Sequence, residues 1–478
     1  MLAVAVTVLA ATVGIAAALL SDARGSRVEE LLGFDPHAAL LVAGLTVLAL
    51  GGYVVWPSRW NVPAHIALGF SISAYLVPVA LAGSLHRFPA SSGREYADLV
   101  ALGAAAYLTG LITARRRWMG HPPAVLRRLL ARDLPDDRTL ATRTLTVIAL
   151  AAIGLALAFA LSGFVPLLAT DPLAAKLLRG QYQAAYIAVA PLYRFSLYVL
   201  AALVPLGLAA WWVTRRLRHL IVTLAGVALL LGALNREPAL TGLVMFAGLL
   251  AARRRSTSLF YVGAIAVGFP LVGATFFILL GSVLGLSHFV GVYGIAEGSL
   301  NLWQRIAVGA PDVADQLTFM HAYADHGALT WGRTFLGGLV PYHYEWNPAI
   351  WSIKIILPGV DVANVLGGIR LPSPVWGFTA FGWPGVVAVP LLSGLALGAF
   401  SSVARQEIGR GSLLRNAFLL VIYTSVALPL SQFYVLSFNV VPPILALLWI
   451  ARRSPIVHPS PNERVNPSRD RTAYSSTG

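Results

Sequence analysis

Asn235-Arg236-Glu237-Pro238 sets a cation beside a carboxylate between two apolar runs, 220–234 and 239–252, that contain no charged residue. Arginine offers a planar, permanently charged fork of N–H donors, which matches the oxygens of a phosphate or carboxylate. Each run holds about 15 residues, or roughly 22 Å of helix, against a bilayer core of roughly 30 Å. That arithmetic sets the tip below a membrane surface, where charge is expensive and usually serves a function. An arginine there suits an anionic, lipid-linked ligand. An interfacial turn with a snorkelling arginine fits the same residues. On either reading Glu237 is an ion-pair partner that steadies Arg236.

A second concentration of chemistry lies between about 285 and 382. Residues 300–326 carry Leu302, Ile306, Val313, Leu317 and Met320 at helical spacing. The other face of that helix bears Arg305, Asp312, Asp315, His321, Asp325 and His326. Such a pattern is usually a solvated face. Further on, Tyr342-His343-Tyr344-Glu345-Trp346-Asn347-Pro348 combines aromatic faces with an imidazole and a carboxylate. Aromatic platforms flanked by polar groups can hold sugar rings, and an aromatic belt at a membrane interface has the same composition. The histidines at 288, 321, 326 and 343 lack the spacing that sets two metal ligands on one helix face, and no nucleotide-phosphate loop occurs. No metal or cofactor is expected. With no cysteine in the chain, disulfides and thiolate sites are excluded.

The elements that position these residues are membrane helices. The chain has 478 residues, 57% hydrophobic and only 12% charged, where a soluble protein is nearer a quarter charged. Repeated long apolar runs predict an all-α, polytopic membrane protein of about twelve transmembrane helices, with one large outer segment containing short helices. The expected spans are 2–20, 37–56, 62–85, 95–114, 142–163, 194–214, 220–234, 239–252, 258–284, 383–402, 416–433 and 435–450. They divide the chain into nine spans with short loops over 1–284, an extracytoplasmic segment over 285–382, and three spans over 383–453. A Pro/Ser/Arg-rich stretch, 454–478, reads as a disordered basic cytoplasmic tail. The net charge of +15 comes from arginine clusters beside the apolar runs, so it reports topology rather than nucleic-acid binding. Arg115-Arg116-Arg117, Arg215-Arg216, Arg253-Arg254-Arg255, Arg405 with Arg410, and Arg452-Arg453 all fall on one face, which the positive-inside rule makes cytoplasmic, with both termini. No basic segment precedes the first apolar run, which argues against a cleaved signal peptide.

Motif order adds a resemblance. Gly163-Phe164-Val165-Pro166 opens a loop with Asp171 and Arg179, and the hairpin with Asn235-Arg236 follows. Trp331-Gly332-Arg333-Thr334-Phe335-Leu336-Gly337-Gly338-Leu339-Val340-Pro341 comes next, then Gly377-Phe378-Thr379-Ala380-Phe381-Gly382-Trp383-Pro384-Gly385. Over roughly 160–402 this resembles the bacterial O-antigen polymerases, which join oligosaccharide repeat units. The resemblance implies a glycosyltransferase of the bacterial cytoplasmic membrane that takes undecaprenyl-diphosphate-linked units on its outer face. It implies chain-length regulators and flippases as partners, and outer-loop arginines that map onto Arg179, Arg236, Arg333 and Arg370. The sequence departs from the family pattern at Tyr342, at Asn347-Pro348, and around Gly377-Phe378, where an acidic residue is missing.

Glycan transfer from a polyprenyl diphosphate needs positive charge on the leaving group, a base for the acceptor hydroxyl and an oriented anomeric centre. Arg236, Arg179 and Arg370 are the expected diphosphate clamp, with Arg305 and Arg333 behind them. Tyr342 and Trp346 are expected to hold sugar. Glu345 and His343 are the candidate bases, with Asp312 and His321 as reserves. Two other classes stay open. One is a related glycosyltransferase or ligase using acidic residues such as Glu29, Glu30 and Asp35. The other is a transporter or flippase, which would need broken spans or charge at mid-membrane.

Overall fold

The computed structural model describes residues 36–71, 90–130, 134–176, 178, 180–254, 260–268, 282–283, 285, 312–340, 344–359, 368–428 and 437–452. The expected span at 2–20, Arg179, Arg305, Tyr342, His343, the acidic residues at 29, 30 and 35, and the tail from 454 lie outside these residues.

Regular structure among the described residues is helical, apart from an isolated bridge between Gly338 and Ser437. In chain order the helices are α1 (Pro36–Val55), α2 (Val62–Ser71), α3 (Ala90–Trp118), α4 (Ala124–Leu130), α5 (Asp137–Ser162) and α6 (Pro172–Lys176). They continue with α7 (Gln181–Thr214), α8 (Leu217–Gly232), α9 (Arg236–Arg253) and α10 (Asp312–His326). The last six are α11 (Arg333–Gly337), α12 (Pro348–Ile356), α13 (Ser373–Phe381), α14 (Trp383–Glu407), α15 (Leu413–Leu428) and α16 (Val441–Ile450). Residues 260–268 are also helical.

α3, α5, α7 and α14 are long and apolar enough to cross a bilayer, and α1, α2, α8, α9, α15 and α16 contain shorter apolar stretches. Their surfaces agree with that environment. On α5, Leu150, Ile153, Leu157 and Leu161 recur at helical spacing and are 50–70% exposed. A stripe of large apolar side chains on the charge-free stretch 144–162 fits a membrane-embedded protein, where lipid replaces water as the neighbour. The helix ends are set by local chemistry. Asp136 caps α5 by accepting from the Thr139 amide at 2.9 Å, and Gly163 ends it at φ +74°, a conformation that glycine adopts without Cβ strain.

Two cores organise the bundle. In the first, α7 packs against α5, α8, α9, α15 and α16, around Leu155, Leu200, Leu203, Leu230, Leu249 and Leu414. In the second, α3 packs against α1, α13 and α14. Glycine permits its closest crossings. A Cβ on Gly110 would overlap the Leu391 carbonyl, and one on Gly394 would overlap the Tyr107 carbonyl. Gly377 and Gly385 face each other in the same way where α13 folds back on α14. Small residues let helix backbones approach this closely.

Tertiary contacts gather the arginine-rich helix ends. Arg143 donates to the carbonyls of Ile450, at 3.2 Å, and Arg452, joining the start of α5 to the end of α16. Ser412 donates to Asp137 at 2.7 Å, and Arg115 donates to the Val54 carbonyl at 3.2 Å. The ends of α1, α3, α5, α15 and α16 therefore share one basic end of the bundle.

Two expected boundaries change. α7 begins at Gln181 rather than 194, because Tyr182, Tyr186, Val189, Ala190 and Tyr193 form a buried helical stripe that continues the apolar face. Arg236, Glu237 and Pro238 lie inside α9, not in the turn; the reversal is Ala233–Asn235. Pro238 is tolerated there because the first helical turn needs few amide donors.

Candidate functional site

The hairpin tip is built into the protein. Ala233, Leu234 and Ala239 are each no more than 1% exposed. The Asn235 amide reaches back to the Leu230 carbonyl at 2.9 Å, and Leu234 turns the chain at φ +57°. The loop opened by Gly163 lies against the tip, where a Cβ on Gly232 would sit 3.4 Å from Val165 Cγ1. Phe164 packs tilted against Tyr182 with ring centres 4.8 Å apart, and Asp171 caps α6 by accepting from the Ala174 amide at 2.9 Å. Asp171 is thus occupied with local structure. Leu178 and Gly180, which flank Arg179, have φ of +53° and +56°.

Helix register gives the depth of Arg236. α9 crosses α7 at Gly242, whose added Cβ would lie 2.7 Å from Val204 Cβ. Arg215 and Arg253 each follow that crossing by 11 residues, so the basic ends of the two helices are level. Counting outward at 1.5 Å per residue, the α9 backbone at Arg236 is about 26 Å from that end. Arg194 on α7 is about 32 Å from it. The Arg236 backbone is therefore several ångströms nearer the basic end than that of Arg194.

Sequence reasoning passed over Arg194, treating it as the edge of a span. Its Nε donates to the Tyr186 hydroxyl at 2.5 Å, and its guanidinium carbon lies 5.8 Å from that ring. Tyr186 packs edge-on to Tyr193, which packs edge-on to Phe159. The signal was present in the spacing of Tyr182, Tyr186, Tyr193 and Arg194 along one helix.

The outer segment is anchored to α3. The buried stripe of α10 is Gln316, Leu317, Phe319, Met320 and Tyr323, which includes the expected Leu317 and Met320. Tyr96 on α3 donates to Gln316 Oε1, and Gln316 Nε2 donates to the Arg370 carbonyl at 2.5 Å. Phe319, Tyr323, Trp351, Trp376 and Phe378 form a packed aromatic cluster, with neighbouring rings 5.6–6.2 Å apart. Those rings are core. Asp315, His321, Asp325 and His326 occupy the exposed face. Burial around its carboxyl nevertheless raises the pKa of Asp315.

The last two motifs of the resemblance dock on each other. The amides of Thr330 and Trp331 donate to the carbonyls of Thr379 and Ala380 at 2.9 and 3.1 Å, satisfying the end of α13. Phe335 meets Phe381 edge-on at 6.2 Å. Gly337 allows the Trp346 carbonyl to approach where a Cβ would overlap it. Beside this contact the Arg333 guanidinium carbon lies 4.9 Å from the Trp346 ring centre, a cation–π arrangement. Glu345 is exposed on the adjoining turn. Asn347 caps α12 by accepting from the Ala349 amide at 3.1 Å, and Pro348 follows at the first helical position, a combination that starts a helix. The missing acidic residue near Gly377 has a packing reason as well: Gly377 is buried in a glycine crossing.

The expected residues thus fall into two sets. Arg236 opens α9, a helix of the first core, and the loop opened by Gly163 lies against that hairpin. Arg333, Glu345, Trp346 and Arg370 belong to the outer segment over the second core. Among the described residues no group of three His, Asp or Glu could hold a metal ion. Four non-glycine residues among those described have positive φ: Leu178, Arg215, Leu234 and Trp331. Three of them lie one or two residues from Arg179, Arg236 and Arg333. Compared with family models, curated proteins and solved structures, the chain matches none.

Proposed function

We propose that the chain is an integral membrane glycosyltransferase that polymerises undecaprenyl-diphosphate-linked oligosaccharide repeat units. It would span the bacterial cytoplasmic membrane about twelve times, with both termini inside. The reaction would take place at the bundle end opposite the arginine clusters. Arg236, with Arg179, would neutralise the lipid diphosphate as it leaves. Arg333 and Trp346 would orient sugar, Arg370 would add positive charge, and Glu345 or His343 would accept the hydroxyl proton. Atoms balance without a cofactor: the anomeric C–O bond to diphosphate breaks, the new glycosidic bond forms, and the acceptor proton leaves through the base.

The observation that carries this reading is the backbone strain beside the candidate arginines. A left-handed conformation costs an L-residue roughly 1–2 kcal/mol, and strain of this kind clusters where binding or catalysis requires it. Leu234 is strained within a buried tip, at a depth suited to a lipid-borne anion. The charge-free stretches 99–114 of α3, 144–162 of α5, 195–214 of α7, 239–252 of α9 and 383–404 of α14 favour it over a transporter, which would need charge at mid-depth.

Deletion of the gene followed by sizing of surface polysaccharide tests the function. A polymerase defect leaves single repeat units on the carrier lipid. Loss of all surface glycan would favour a flippase, and unchanged polymer would refute the proposal.

A further inference from the structure

At the basic end a groove of about 470 Å³ opens between the chain after α1, the end of α3 and the end of α14. Trp56, Trp60, Arg115, Arg405 and Arg410 line it, with Gly409 in its wall. The three arginines are exposed. Glu407, the nearest carboxylate in sequence, pairs with Arg415 at 3.5 Å. Arg115 gives one N–H to the Val54 carbonyl, which fixes its guanidinium at the groove.

The indoles are held as firmly. Trp56 is 1% exposed and packs edge-on against Tyr423 at 5.5 Å. Trp60 lies against Gly409, where φ is +96° and an added Cβ would sit 3.0 Å from the ring. Asn416 accepts from the Gly409 amide at 2.9 Å and secures that turn. The local sequence therefore builds a cleft with aromatic walls and several cationic forks, at the level where apolar helices end.

We infer that this groove binds one phosphate-bearing anion, the headgroup of an acidic phospholipid or a free phosphate. Forked guanidinium groups match phosphate oxygens, and indoles prefer the boundary between apolar and polar layers. The volume is within the usual range for a small-ligand site, roughly 300–1,000 Å³. The site is at the end of the bundle remote from the candidate arginines of the proposed reaction, so it stands or falls independently of that reaction.

The test uses the purified full chain in detergent and native mass spectrometry. Phosphatidylglycerol and phosphatidylcholine are titrated separately, with Arg405→Gln/Arg410→Gln as the variant. Arg216→Gln/Arg218→Gln, at the exposed start of α8, removes the same charge outside the groove. In parallel, thermal unfolding is followed with inorganic phosphate against chloride at equal ionic strength. Losing two charge-assisted contacts should weaken binding at least about tenfold. A phosphatidylglycerol adduct weakened in the groove variant alone identifies a lipid headgroup. Stabilisation by inorganic phosphate, lost only in that variant and without lipid selectivity, identifies free phosphate. Equal losses in both double variants, or no loss in either, would overturn the inference.

Discussion

Replacing Arg236 with alanine removes one cation of the proposed site. Its helix position is about 26 Å from the basic end by register; in the proposed topology, with Arg253 at the near boundary of a hydrocarbon core of roughly 30 Å, the backbone would lie about 4 Å inside the far one. Two unit charges 4 Å apart interact by about 1 kcal/mol in water and about 4 kcal/mol at the effective dielectric of a partly buried site. A diphosphate held there would lose about 3–4 kcal/mol of leaving-group stabilisation in Arg236→Ala, or about 10²–10³-fold in rate. Arg236→Lys keeps the charge but loses the fork, and should fall between wild type and alanine. The assay is in vitro extension of purified lipid-linked repeat units, with product length resolved by electrophoresis. Membrane levels and thermal unfolding of each variant are measured alongside. Wild-type extension by a folded Arg236→Ala protein would refute the reasoning, because no role at depth could survive it.

Other outcomes follow from the packing. Gly377→Val should destabilise the protein by at least about 1–3 kcal/mol, since its side chain must displace the Gly385 backbone; thermal unfolding in detergent reports this. Gln316→Leu removes two buried hydrogen bonds between α10, α3 and the Arg370 segment. It should cost about 1–3 kcal/mol and speed proteolytic cutting of the outer segment while the helices of the bundle stay intact. Trp331→Gly relieves a left-handed residue at φ +51° that is 67% exposed. Stability should hold within about 1 kcal/mol, and shorter product from that stable protein would mark a role for the indole. Hydrogen bonds from Thr139 lower the pKa of Asp136. Its contribution to the α5 cap is therefore present above the ordinary carboxylate range and lost as pH falls through the lowered value. Protection of the Thr139 amide, its exchange rate corrected for the intrinsic pH dependence, should fall at acid pH in wild type, whereas Asp136→Asn should remove that fall.

The helical class and the basic helix ends were legible because both are local. Apolar runs force the backbone to bond within the segment, and arginines collect where those runs stop. The ends marked by Arg115, Arg215, Arg253 and Arg405 needed no tertiary information. The aromatic residues of the outer segment were legible only as a composition. Phe319, Trp351 and Trp376 became core while Trp346 met Arg333, since burial depends on which element arrives from elsewhere in the chain. The start of α7 was missed because its amphipathic stripe of tyrosines and alanines is weaker than the uniformly apolar run that follows it.

The sequence by itself determined the class of the protein, the shortness of the hairpin arms and the presence of an arginine at their tip. Only the tertiary structure decided that Ala233 and Leu234 of the turn are buried, that Arg236 opens a helix, and that Arg194 stands several ångströms farther from the basic end. Composition sets how much of each segment enters an apolar medium. Relative depth and neighbourhood depend on where glycines such as Gly242 and Gly394 let two backbones touch, and those contacts join residues that the sequence keeps far apart.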